Sequence, residues 1–269
     1  SPRPSPSVQP AVGVYMQPGK TFRDCADCPE MVVVPAGSFR MGDLSGGGDS
    51  DEKPVHQVTI PRAFAVGKYE VTRGAYALFA RATGRSSGDG CYVYDGKKWL
   101  NEYSKDWQNP GYSQTERDPV SCVNWDDAKA YVSWLSDKTG KQYRLLSESE
   151  WEYAARSRSA TKYSFGDSES SLCRHGNGAD SSTGFKWKNA SCNDGYGEKT
   201  APVGSFEANG FGLHDMHGNV WEWTEDCWNE NYNGAPDDGE ARTTGSCTIR
   251  VLRGGSWLNE PGDLRAANR

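Results

Sequence analysis

Apolar and polar positions alternate first at Met31–Met41, where β-branched residues meet Pro35 and Gly37, a pattern that predicts two short strands around a turn. His56–Ile60 and Phe64–Val71 alternate as further strands. Thr72 is a candidate cap for a helix running to about Thr83, with Tyr76, Phe79 and Ala80 on one face and Gly84 as its stop. A second helix is expected from Asp126 or Asp127, with Ala128, Tyr131, Val132 and Leu135 at helical spacing and Gly140 at its end. Ser147 and Glu150 form a capping box that opens a third helix, whose buried stripe is Trp151, Ala154 and Ala155. Between these elements the periodicity fails. Arg85–Asp118 scatters Tyr92, Tyr94, Trp99, Tyr103, Trp107 and Tyr112 among small polar residues and reads as an ordered loop excursion, and Ser157–Thr200 reads as polar loop.

The 31 Gly and 14 Pro commit much of the 269-residue chain to turns, while 10 Trp, 13 Tyr and 8 Phe supply a core, so a loop-rich α+β fold is expected. Residues 1–29 read as a Pro/Ser-rich tail or linker and residues 30–269 as one domain. A net charge of -6 with both signs interspersed offers no basic stripe for nucleic acid. No run reaches the ~18–20 apolar residues of a membrane helix. Asp43–Lys53 is Gly/Asp/Ser-rich and reads as a solvated loop, since its acidic spacing does not fit an EF-hand.

Eight cysteines leave two readings open. One is an exported protein, periplasmic, cell-surface or secreted, with disulfides; Cys173 with Cys192 and Cys227 with Cys247 are the favoured pairs. The other is a reduced protein with buried thiols, or a zinc site at Cys25-Ala-Asp-Cys28, although no second pair stands at zinc spacing.

Asn209–Cys227 packs three glycines, two tryptophans and two histidines among side-chain oxygens, including those of Asp215, Asn219 and Glu222. Glycines let backbone carbonyls turn inward, and hard cations take such oxygens, so the stretch reads as a folded loop built around an ion. His214 and His217 with Glu222 or Asp226 could instead form a two-histidine, one-carboxylate iron site; without a secured third donor, capping or surface roles compete.

Seven blocks in order carry a resemblance: Met31–Gly42, Tyr69–Thr72, Pro119–Val120 with Val123–Ala128, Tyr143–Arg156, Pro202–Phe206, Gly218–Trp223 and Arg253–Trp257. Together they resemble the sulfatase-modifying-factor family of formylglycine-generating enzymes. The resemblance implies a loop-rich variant of the C-type-lectin-like fold with bound calcium. Its catalytic members oxidise a sulfatase cysteine with molecular oxygen and a copper ion held by two cysteines just beyond Arg-Gly-Gly-Ser. The corresponding positions here are Asn259 and Leu264, whose amide and isobutyl groups cannot replace thiolates on a cuprous ion. Copper-dependent formylglycine formation is therefore not expected.

The resemblance also assigns metal ligands. A first calcium site would use the side chains of Asp215 and Glu222 with the carbonyls of Gly218 and Val220. A second would use Asn177 and the backbone of Gly178, with Asp194 and the backbone of Tyr196. The resemblance also takes in some relatives, in pyoverdine or ergothioneine pathways, described as non-haem iron oxidases, although the iron ligands of the ergothioneine type lie in a separate helical domain that has no counterpart in this sequence. Family members usually continue beyond the point where this sequence stops, so a missing last strand is expected.

Residues 257–269 also resemble the variable region of retroelement-diversified display proteins, making Trp257, Asn259, Glu260, Asp263 and Asn268 candidate contacts for a protein or small-molecule ligand; an ordinary surface loop is the equal alternative. Arg253–Ser256 reads as structural. The functional expectation is a non-catalytic, calcium-stabilised binding domain, and the alternative is an oxygen-dependent non-haem metal oxidoreductase acting on a peptide or peptide-derived metabolite.

Overall fold

In the computed structural model, residues 16–86 and 90–269 are described. The helices follow their caps. In α1 (Arg73–Thr83) the Thr72 hydroxyl accepts from Ala75 N, and Gly84 closes the helix at φ +67°. α3 (Glu148–Arg156) carries the Ser147/Glu150 box. α2 (Trp125–Thr139) begins earlier than Asp126: Asn124 is its cap, in a reciprocal box with Asp127. An amide caps as well as a carboxylate, so Asp127 serves as the box's third position rather than its first. A single turn, α4 (Leu172–His175), interrupts the expected 157–200 loop.

The strands are short. β2 (Met31–Val34) pairs antiparallel with β1 (Thr21–Phe22) and with β5 (Phe64–Gly67), and β3 (Gly37–Met41) pairs with β4 (His56–Ile60). β2 and β3 thus form, as expected, on either side of Pro35, yet they enter different sheets. β6 (Cys91–Tyr94) pairs with β7 (Trp99–Glu102), and β8 (Glu222–Trp228) pairs with β9 (Ser246–Arg253) through register shifts. The architecture is α+β with long connecting loops.

Several readings are corrected here. The 85–118 excursion contains the β6–β7 hairpin, turned by Asp95-Gly96, where the Asp95 carboxylate accepts from the Lys97 and Lys98 amides. The expected tail to residue 29 is drawn into the fold from Thr21, and Cys28 is buried against α1 and α2; the part of that tail before residue 16 lies outside the described residues. Asp43–Lys53 is not simply solvated, because Asp43 and Glu52 are buried, and Arg265 forms a fork with Glu52 at 2.6 and 2.7 Å. Glu222–Cys227, read as part of an ion loop, continues as strand β8.

Two apolar clusters hold these pieces together. Val32, Val34, Val58, Trp151, Tyr153 and Leu213 join β2, β4 and α3 to the 211–216 loop, while Tyr76, Phe79, Tyr131 and Leu135 seal α1 against α2. Between β9 and α3 lies fully buried Arg253, paired with Glu152 and donating to the carbonyls of Ala266, Ala267 and Asn268. A buried charge persists only when paired and hydrogen-bonded throughout, and this one fastens the 266–268 segment to the core.

All eight cysteines are paired: Cys25–Cys28, Cys91–Cys122, Cys173–Cys192 and Cys227–Cys247. Both favoured pairs form. The zinc alternative at Cys25 and Cys28 falls, since the two sulfurs bond each other. Among the described residues, no helix is long and apolar enough to cross a membrane.

Candidate functional site

A groove of about 1710 Å³ opens where the β6–β7 hairpin, the 184–187 loop, the 220–223 turn and the 256–259 segment meet. Its walls are aromatic. Tyr92 stacks on Trp99 at 5.5 Å and 7° on the hairpin, and Phe185 stacks on Trp187 at 5.0 Å and 11° on the opposite side. Tyr112 meets Trp257 edge to face.

Three of the tryptophans have their only polar group committed to the wall. Trp187 donates to Leu258 O at 2.8 Å, Trp223 to Val123 O at 3.0 Å and Trp221 to Asn259 Oδ1 at 3.1 Å. An indole whose N–H is bonded internally is fixed in orientation and offers an apolar surface. The floor is therefore preorganised.

Asn259 organises the bottom of this groove. Its Oδ1 accepts from the Ser256 hydroxyl at 2.6 Å and the Ser256 amide at 3.0 Å as well as from Trp221, and its Nδ2 donates to Asp263. Leu264 is buried, and a Cβ on Gly178 or Gly255 would lie 2.5 Å from one of its methyls. The two positions that the resemblance matches, by count from Ser256, to copper-holding cysteines are thus a hydrogen-bond hub and a close-packed apolar plug. Two cysteines do line the same groove as Ser256, Cys91 and Cys122, and their sulfurs are bonded to each other as a disulfide.

Of the candidate contact residues, Trp257 and Asn259 line the groove; Asp263 acts through Asn259, and Glu260 is exposed outside it. Asn268 is corrected: it is 7% exposed and its carbonyl is held by Arg253, leaving no face for a ligand.

Of the residues expected to hold calcium, Val220 lines the groove beside Trp221. Asp215 takes a left-handed backbone (φ +62°), its Oδ2 accepts from Gly204 N at 2.8 Å, and its buried Oδ1 has no partner. Burial pushes Asp215 up to about 6 and Glu222 up to about 7, with Asp215 adding to the latter. Glu70, which the sequence reading passed over, lies beside them; burial and its two acidic neighbours hold it well above the usual carboxylate range. It accepts from Asn219 Nδ2 at 2.6 Å and Val220 N at 3.1 Å.

At the second set, the enclosed Oδ1 of Asn177 and Oδ2 of Asp194 also lack partners, and burial, with Asp180 nearby, pushes Asp194 up to about 6. Tyr196 N donates to the other Asp194 oxygen, and a Cβ on Gly178 would strike Leu264. The two sets are stitched together, since Asn219 N donates to Asn177 O at 2.7 Å and Asn177 Nδ2 to Asn219 Oδ1 at 3.1 Å. Unpaired buried oxygens among mutually repelling carboxylates fit a hard cation. Asp215 and Glu222 with the Gly218 and Val220 carbonyls, and Asn177 and Asp194 with those of Gly178 and Tyr196, would hold it.

The iron reading does not fit. His214 bonds Phe206 O through Nδ1 and packs on Tyr69, whereas His217 donates from Nδ1 to Leu264 O and accepts at Nε2 from Ser164 N. Burial lowers His217 to about 4, so it is neutral with both nitrogens occupied. Among the described residues, neither the histidines nor the carboxylates at 70, 194, 215 and 222 fall in a tight cluster of three ligating side chains; the cluster that does form is Asp49, Asp51 and Glu52.

The hairpin rings, Phe185, Trp187 and the Cys91–Cys122 bond were missed as site residues. For the hairpin rings the signal was the density of aromatics in a stretch without period.

The comparisons agree with this architecture. The chain is 43% identical to PvdO from Pseudomonas aeruginosa, whose structure superposes with a TM-score of 0.80 over 94% of this chain and 92% of that one. Treponema denticola variable protein 1 shares the fold, with a TM-score of 0.66 at 23% identity over 93% and 91% of the two chains. A formylglycine-generating enzyme of Streptomyces coelicolor is 30% identical over 302 residues, spanning 95% of this chain and 85% of the relative. The family model described as the sulfatase-modifying factor enzyme 1-like domain matches residues 17–269, and the chain belongs to that family.

Proposed function

We propose that this chain is an exported, calcium-braced ligand-binding domain of C-type-lectin-like type, built on the formylglycine-generating scaffold without its copper chemistry. The observation that carries this reading is the state of Asn259 and Leu264: one hydrogen-bonds the groove floor together and the other is packed against glycines, so neither supplies a soft donor. The groove remains, larger than the ~300–1,000 Å³ of ordinary small-molecule sites, and has room for a ligand of peptide size. Four disulfides support export, and the unpaired oxygens of Asp215, Asn177 and Asp194 support calcium.

Elemental analysis of the purified protein tests the reading, with calcium expected and no stoichiometric redox metal; a full equivalent of copper or iron overturns it. Titration with a random peptide library, read on the native protein and on Trp257→Ala, tests the groove. The alternative of an oxygen-dependent metal oxidoreductase acting on a peptide or peptide-derived metabolite has no donor set at His214 and His217, which face different partners.

A further inference from the structure

The hairpin β6–β7 is a thin flap on one side of the groove. Its residues line the cavity and it is thinly covered: Tyr92 on β6 is 71% exposed, and Tyr103, just beyond β7, is 78% exposed. Its ladder hydrogen bonds are internal, running between Cys91–Tyr94 and Trp99–Glu102. Among the described residues, a disulfide and a ring contact cross from the hairpin to other groove walls. One is the Cys91–Cys122 disulfide, which fastens β6 to the segment leading into α2. The other is the edge of Tyr94 against Trp187 at 5.4 Å.

The base is anchored separately, by buried Trp107 against Tyr76 and by Tyr112 against Trp257. Gly90, at φ +98°, is the natural pivot immediately before Cys91. Cys122 itself is held at φ +58°, a region that non-glycine residues seldom adopt and that recurs where a contact is imposed for function.

We propose that the hairpin is a lid on the groove and that the Cys91–Cys122 bond is its redox latch. This rests on the groove being the ligand site and names how access to it is regulated. The reductant is a dithiol, small or protein-borne. One of its thiolates attacks the sulfur of Cys122, the less buried of the pair, forming a mixed disulfide and releasing Cys91 as thiolate. The second thiol resolves the mixed disulfide, so the dithiol is oxidised by two electrons and Cys91 and Cys122 end as two thiols. The hairpin thereby loses its covalent tie to the segment leading into α2 and swings about Gly90, while Trp107 holds its base. Reoxidation closes it.

The test compares the native protein with the Cys91→Ser/Cys122→Ser variant by amide hydrogen exchange and by acrylamide quenching of tryptophan emission. Residues 91–102 are expected to exchange at least tenfold faster in the variant, with α1 to α3 unchanged, and quenching is expected to rise as Trp187, Trp221 and Trp257 are uncovered. Protection of 91–102 within threefold of native overturns the proposal, and so does uniform loss of protection across a variant that still melts cooperatively.

Should the variant not fold, native protein reduced with a dithiol, with the opened bond verified by alkylation mapping, gives the same two readouts. Trp187→Ala with the disulfide intact is expected to keep the hairpin protected; a tenfold loss there makes the ring contact the latch and overturns the proposal. The peptide-library titration separates this inference from the ligand reading. A lid that opens on a groove binding no peptide leaves the latch standing and removes the ligand reading, whereas equal peptide association rates in latched and unlatched protein retain the ligand reading and remove the lid.

Discussion

The indole N–H of Trp221 donates to Asn259 Oδ1 over 3.1 Å, and that same oxygen accepts from Ser256. One amide thus orients a groove ring and the Arg253–Trp257 block together. Asn259→Ala leaves a half-buried indole N–H and a serine hydroxyl without their acceptor, so a loss of ~1–3 kcal/mol is expected in urea unfolding, together with a shift in tryptophan emission. Unchanged stability and emission would show that the hub does not hold the floor. Asn259→Cys alone is expected to leave copper content substoichiometric, because the partner position remains buried Leu264.

Chelation should weaken the fold. At calcium a hundredfold above its Kd, binding stabilises by ~2.7 kcal/mol, several degrees of melting temperature for a chain of this size. Asp215→Ala is expected to abolish most of the difference between melts in calcium and in chelator. Superimposable melts of the native protein in the two buffers would rule the calcium assignment out.

Asp43 yields a pH prediction. Burial pushes its carboxyl up, but the Ser45 hydroxyl and the amides of Gly48, Gly46 and Ser45 outweigh that and hold it down to about 2 from 3.8. A lowered folded-state value contributes stability that is fully present above the unfolded value near 4 and is lost as pH falls through about 2. Asp43→Asn is therefore expected to cost on the order of 2 kcal/mol at pH 7, with the difference from native shrinking between pH 4 and 2. A gap that stays constant over that range would refute the assignment.

Arg253 reaches Glu152 and three carbonyls with one guanidinium. Lysine carries the charge but not the fork. Arg253→Lys is expected to lose ~3–5 kcal/mol and to expose residues 264–269 to proteolysis, measured by denaturant unfolding and limited trypsin digestion. Native-like resistance to trypsin would mean that the segment is held by other contacts.

What could be read from the residues depended on whether the signal was local. Thr72, Ser147, Gly84 and Gly140 mark helix ends because a cap depends on neighbours only a few residues away, and the structure keeps all four. The Asp95-Gly96 turn between Cys91–Tyr94 and Trp99–Glu102 is local too, but it was passed over amid aromatics that obey no period.

The groove could not be read in this way. Trp187, Trp221 and Trp223 are pinned by Leu258, Asn259 and Val123, partners 71, 38 and 100 residues away. Pairings at such range leave no trace in spacing. Likewise, that Glu70 would join the carboxylates at 215 and 222 depends on a contact spanning about 150 residues.

The committed indoles have a consequence for how this scaffold diversifies. Rings that cannot turn lose almost no rotamer freedom when something settles on them, so they grip many flat or apolar partners alike and discriminate little among them. If the groove binds a ligand, selectivity is expected to come from its exposed hairpin side, at Tyr92, Asp95 and Trp99, where substitutions leave the buried frame untouched. Laboratory evolution toward a new guest should begin there.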